Sequence, residues 1–162
     1  MRYQSRRYRY SLEIPDGWIR RRRKPFSLII GSNVTYESLD RNGDISISAG
    51  KLEGEELSFK HGRKLLLDDF SEALKRMPPS IKFEQIIEIP WYSNPFDLRE
   101  ENTLYYSYAG SEVCGRLISS FHKGIGYLIQ SRVRTGSNYS DTLDKVIKSF
   151  KFEARESMAR AL

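Results

Sequence analysis

Among its 162 residues the chain has one cysteine, Cys114, and two histidines, His61 and His122. A single thiol forms no internal disulfide and builds no cysteine-based zinc site, and two histidines leave little for a histidine-ligated metal. No apolar run approaches the roughly 18 residues that cross a bilayer as a helix. There is no phosphate loop, and Gly124-Ile125-Gly126 lacks the third glycine of a dinucleotide loop and opens a strand pattern instead of a helix. Met1 to Gln4 run straight into Arg6 and Arg7 without the apolar stretch of a secretory leader. The expectation is a cytoplasmic chain as it stands, or an extracytoplasmic one if a leader has been removed. No cofactor is implied.

Hydrophobic residues at 39% and charged residues at 30% suit one soluble domain. The net charge of +6 is uneven. Residues 1–24 carry nine basic residues against Glu13 and Asp16, a local +7, so residues 25–162 sum to −1. Such a field draws anions: nucleic acid, an acidic membrane surface or an acidic protein. Arginines that merely alternate out of a strand into water are the competing reading.

Period-two patterns mark the strands. Tyr8, Tyr10, Leu12 and Ile14 alternate with polar neighbours over residues 7–14, until Pro15-Asp16-Gly17 breaks the run and Trp18 restarts it. Residues 26–30 are apolar enough for a further strand. Asn42-Gly43, between Val34–Leu39 and Ile45–Ala49, predicts a hairpin with a type I′ turn, in which both central residues take positive φ. Asp40, Asn42 and Asp44 imitate a calcium loop, but Ile45 stands where the glycine belongs, so a plain turn is expected. From Glu55 to Met77 the period lengthens: Leu66, Phe70, Leu74 and Met77 form one helical stripe, which Pro78-Pro79 ends. A strand over Ile81–Ile89 follows. After it come an irregular loop over Pro90–Asn102 and an antiparallel meander over Thr103–Ala109, Val113–Phe121 and Ile125–Val133. Asn138 or Ser140 is placed to cap a closing helix with Leu143, Val146, Ile147 and Phe150 on one side. Residues 1–152 make a single domain and 153–162 a polar tail. Strands and helices do not alternate, which predicts α+β with a mostly antiparallel sheet flanked by helices.

The segment Tyr10-Ser-Leu-Glu-Ile-Pro15-Asp-Gly-Trp18, the long central helix, the late meander and the closing Leu143-Asp-Lys-Val-Ile-Lys-Ser-Phe150 together resemble PsbP-like domains. That family includes the photosystem II extrinsic protein, a Ran-binding nuclear import factor, bacterial lipoproteins and chaperone-adaptors of secretion effectors. The resemblance spans nearly all of residues 8–152 and implies a three-layer α-β-α sandwich that binds proteins more often than it catalyses. The chain departs from the family at Pro90–Asn102, where a short glycine turn is usual. It also lacks the metal-associated N-terminus of the photosynthetic members. The resemblance therefore carries over no partner.

Catalytic candidates are thin. Cys114 and His122 sit eight residues apart on one predicted strand, which at about 3.3 Å per residue separates them by roughly 27 Å and forbids a dyad. The neighbouring carboxylates Glu55-Glu56, Asp68-Asp69 and Glu100-Glu101 diverge on any regular element. Binding candidates are better. Trp91, Tyr92 and Phe96, stiffened by Pro90 and Pro95, offer large area at small entropic cost, or else fold back to cap the sheet edge. Arg20, Arg21, Arg22, Arg23 and Lys24 form a candidate anion-binding run. The expectation is a non-enzymatic protein-binding or adaptor domain. An anion-binding module for nucleic acid or acidic lipid is the alternative.

Overall fold

A computed structural model describes residues 1–22, 32–51, 68, 83–88, 103–110, 112–122 and 124–153. Ten strands and one helix lie among them. Strands β3 (Ile19–Arg21), β4 (Ser32–Glu37), β5 (Gly43–Lys51), β6 (Phe83–Glu88), β7 (Thr103–Gly110), β8 (Val113–His122) and β9 (Ile125–Arg134) form a seven-stranded sheet in the order β3-β4-β5-β9-β8-β7-β6. Every pairing in it is antiparallel. The predicted meander is its second half, and Gly124 turns β8 into β9 with φ 78°, a conformation that costs glycine nothing.

Alternation sorts the sheet into two faces. Val34, Ile47, Ile129 and Ile118 stand in one row across β4, β5, β9 and β8, all essentially buried. Against this face packs a smaller sheet of β1 (Arg2–Ser5), β2 (Tyr10–Glu13) and β10 (Lys151–Phe152), ordered β1-β2-β10. The helix α1 (Ser140–Lys148) lies beside it and contributes Leu143, Val146 and Ile147 to the core. Leu117 and Leu128 point to the opposite face and are also buried, so the large sheet is covered on both sides, as a central layer must be. Each such side chain contributes about 1.5–3 kcal/mol of burial.

Aromatic rings join the layers. Tyr10 stacks on Phe150 with centroids 5.3 Å apart and meets Tyr127 edge-on at 5.8 Å. The end of α1 is pinned to β2, because the Glu13 amide donates to Ser149 Oγ at 2.8 Å and Ser149 Oγ–H donates to the Val146 carbonyl at 2.6 Å. Asp141 in the first turn and Lys145 and Lys148 in the last suit the helix dipole.

Three local expectations are corrected. The strand predicted over residues 7–14 begins only at Tyr10; Arg6–Arg9 form a turn, with Arg9 at φ 52°, that joins the unpredicted β1 to β2. Tyr8 is buried nonetheless, so its apolar periodicity reported burial and not extension. The hairpin lies where Asn42-Gly43 announces it, but it is not type I′. The left-handed residue is Arg41 at φ 60°, and the Ser38 amide closes the loop on the Gly43 carbonyl at 2.9 Å. There Ser38 Oγ accepts from the amides of Asn42 and Gly43 and donates to Asp40, a local network that outweighs the Asn-Gly preference. Neither Asn138 nor Ser140 caps α1: the N-cap is Tyr139, with no side-chain cap bond. Glu153, the first residue of the predicted tail, donates its amide to the Arg9 carbonyl, and its carboxylate meets Arg2 at 2.7 Å.

The predicted strand over 26–30, the loop Pro90–Asn102 and residues 154–162 lie outside the described residues. So does the central helix over Glu55–Met77, except for Asp68, which is helical.

Candidate functional site

Strand β3 is the outermost strand of the large sheet at one edge, among the described residues. Its pairing to β4 sets Ile19 opposite Glu37, Arg20 opposite Tyr36 and Arg21 opposite Thr35. Alternation therefore sends Arg20 and Arg21 to opposite faces of the sheet.

The two arginines differ in what they meet. Arg21 Nε donates to Glu37 Oε2 at 3.0 Å, and Glu37 is almost wholly buried, so this charge is already answered within the fold. Arg20 is exposed, with its guanidinium carbon 6.0 Å from the centre of the Tyr3 ring, a cation–π placement that leaves its donors to solvent. Tyr3 in turn meets Tyr36 edge-on at 5.9 Å. Burial raises the Tyr36 hydroxyl pKa, and the Arg20 charge partly opposes that rise. Arg22 is exposed as well. Neither Arg20 nor Arg22 has an acidic partner among the described residues. Arg20, Arg21, Arg22 and Asn33 border a groove of about 530 Å³.

A second charged pair lies on the Arg21 side of the sheet, where Glu37, Asp44 and Arg132 fall in one row across β4, β5 and β9. Arg132 reaches Asp44 Oδ2 at 2.6 Å through one guanidinium nitrogen and at 3.0 Å through Nε. Sequence inspection missed this pair and the Arg21–Glu37 pair. Nothing local signals them, because the partners meet only through strand register. Beside them, Thr35 and Ser46 share a 2.8 Å hydroxyl bond, and the Asn33 amide donates to Ser48 Oγ at 2.9 Å.

Of the other candidates, Arg23, Lys24, Trp91, Tyr92, Phe96 and His61 lie outside the described residues. Cys114 and His122 stand at opposite ends of β8, paired with Val133 and Ile125 of β9, and do not come together. Among the described residues no group of three or more His, Cys, Asp or Glu is placed to hold a metal ion. No helix among them is long and apolar enough to cross a membrane.

No protein-family description and no curated protein matches this sequence. Solved structures do. The chain is similar to the cyanobacterial PsbP (CyanoP) of Synechocystis sp. PCC 6803, with a TM-score of 0.52 and 17% identity over 94% of this chain and 91% of that one. It is also similar to a crystallised protein of Bacteroides thetaiotaomicron VPI-5482, with a TM-score of 0.50 and 15% identity. That match covers 95% of this chain but 48% of the other, so the chain spans about half the length of the Bacteroides protein. The fold is PsbP-like, α+β with a mostly antiparallel sheet.

Proposed function

We propose that this PsbP-like domain is a non-enzymatic protein-binding or adaptor module. Its basic edge, Arg20 and Arg22 continued by Arg23 and Lys24, meets an acidic protein surface, and Trp91, Tyr92 and Phe96 supply the apolar contacts. The carrying observation is the contrast among the arginines at β3 and just after it. Glu37 neutralises Arg21 and ties the strand down, while Arg20 and Arg22 are exposed and have no acidic partner among the described residues. Complementary charge of this kind steers encounter and selects partners, and aromatic anchors then slow dissociation. The separation of Cys114 from His122 supports the non-enzymatic part of the reading.

The groove beside Asn33 favours a second reading, in which the same arginines hold the phosphates of nucleic acid or acidic lipid. One experiment separates the two. Native extract is passed over wild type, Arg20→Glu/Arg22→Glu and Trp91→Ala/Tyr92→Ala/Phe96→Ala at low and high salt, with and without nuclease. A defined protein held by wild type after nuclease treatment, and weakened about tenfold or more by each variant, supports the adaptor. Recovery of nucleic acid or acidic lipid alone, at low salt and indifferent to the aromatic variant, overturns it in favour of the anion site.

A further inference from the structure

A cavity of about 260 Å³ opens between the first turns of α1 and strands β7 to β9, away from the basic edge. Arg116 of β8 and Asp144 of α1 face each other across it, with Arg116 Nε 3.9 Å from Asp144 Oδ1. That spacing is an ion pair too long for a hydrogen bond. Neither side chain has a hydrogen-bond partner among the described residues, and about a third of each is exposed, 35% and 31%. Closed pairs among the described residues behave otherwise: Arg132 meets Asp44 at 2.6 Å, Arg2 meets Glu153 at 2.7 Å and Arg21 meets Glu37 at 3.0 Å. Among the described residues, Arg116 and Asp144 thus hold opposite charges at the wall of one cavity without a hydrogen bond to the guanidinium donors or to the carboxylate oxygens.

Charge logic limits what fits. A simple anion drawn to Arg116 meets the Asp144 carboxylate, and a simple cation drawn to Asp144 meets the guanidinium. A molecule that carries a carboxylate and an ammonium a few ångströms apart satisfies both at once. The rest of the lining is mixed, with Ser107, Ser131 and Ser140 beside Ala109, Val133 and Leu143, and the last three suit a short apolar substituent. The volume is slightly below the roughly 300–1,000 Å³ of sites for drug-sized ligands, which again points to something small. We propose that this cavity binds a small zwitterion of the α-amino-acid type, its carboxylate on Arg116 and its ammonium on Asp144. The site is independent of the basic edge and of the partner that edge would take.

Cys114 lines the same cavity and is the only cysteine of the chain, so it reports occupancy. Iodoacetamide alkylation of Cys114 is followed with L-alanine and L-leucine, and with acetate and ethylammonium as half-ligands, at constant ionic strength. Ligands of so few atoms are tested at up to about 10 mM. The amino acids should slow alkylation about threefold or more, by the factor one plus ligand over Kd, and the half-ligands should not. Arg116→Gln and Asp144→Asn should each weaken protection about tenfold. A parallel NMR titration follows Arg116 Nε–Hε and the Leu143 methyl groups, which makes the result independent of thiol reactivity. Absence of shifts with either amino acid, equal response to acetate alone, or protection that survives both substitutions overturns the proposal.

Discussion

Replacing Tyr127 by phenylalanine removes one oxygen atom from a place sealed against water. Tyr127 stands on β9 with no exposed surface, and its hydroxyl donates to the Tyr8 carbonyl at 2.5 Å. That carbonyl belongs to the Arg6–Arg9 turn, so the bond fastens the β1–β2 hairpin to the large sheet. The ring contacts with Tyr10, Phe150 and Phe152 survive the change. The Tyr8 carbonyl loses this donor, which costs about 1–3 kcal/mol at neutral pH. The same hydroxyl has a pH signature. Burial pushes its pKa up from 10.0 to about 12, and the charge of Arg9 only partly opposes the rise. A group that holds its proton more tightly folded than unfolded stabilises the fold fully below the unfolded pKa. That contribution drains away as pH climbs through the folded one, here between about 10 and about 12, and amounts to about 2–3 kcal/mol. Phenylalanine has no such proton. Urea unfolding of wild type and Tyr127→Phe across this pH range should therefore show a constant gap below about pH 9, closing or inverting by about pH 12, with unchanged m-values. A variant within about 0.3 kcal/mol of wild type at pH 7, or a gap constant up to pH 12, refutes the argument.

Two further outcomes follow from local geometry. A Cβ added at Gly43 would stand 3.0 Å from Tyr139 Cβ, 3.1 Å from its Cγ and 3.4 Å from the Trp18 ring. Gly43→Ala should thus destabilise by about 1–3 kcal/mol in thermal or urea unfolding, and an unchanged midpoint would show that Tyr139 yields freely. Asp40 is held below the usual carboxylate range, first by the Ser38 hydroxyl and further by the Asn42 amide and the Tyr139 hydroxyl. Ser38→Ala should move its titration upward toward the ordinary value in an NMR pH series. A midpoint that does not move would show that the other donors suffice.

Much of the sheet could be read from the chain directly. Strands β7, β8 and β9 and the buried side of α1 each carry their period in adjacent residues, and the hairpin after β4 is announced by Asn42-Gly43. Where reading went astray, a tertiary contact had changed what a local pattern meant. The Tyr8 periodicity looked extended, yet Tyr127 draws Tyr8 into a turn. The run of arginines was plain in the sequence, but not that Arg21 is spent on Glu37, 16 residues away. Strand β10, of two residues, has too little pattern of its own and exists because β2 offers it an edge.

The sequence alone thus determined the fold class, the order of most elements and the crowding of positive charge at one end, since these follow from composition and short-range periodicity. Only the tertiary structure decided that the described strands divide into two sheets, and that Arg21 pairs with Glu37 and Arg132 with Asp44. It also set Arg116 and Asp144 across one cavity. Those outcomes depend on strand register and layer packing, which bring together residues that no local spacing connects.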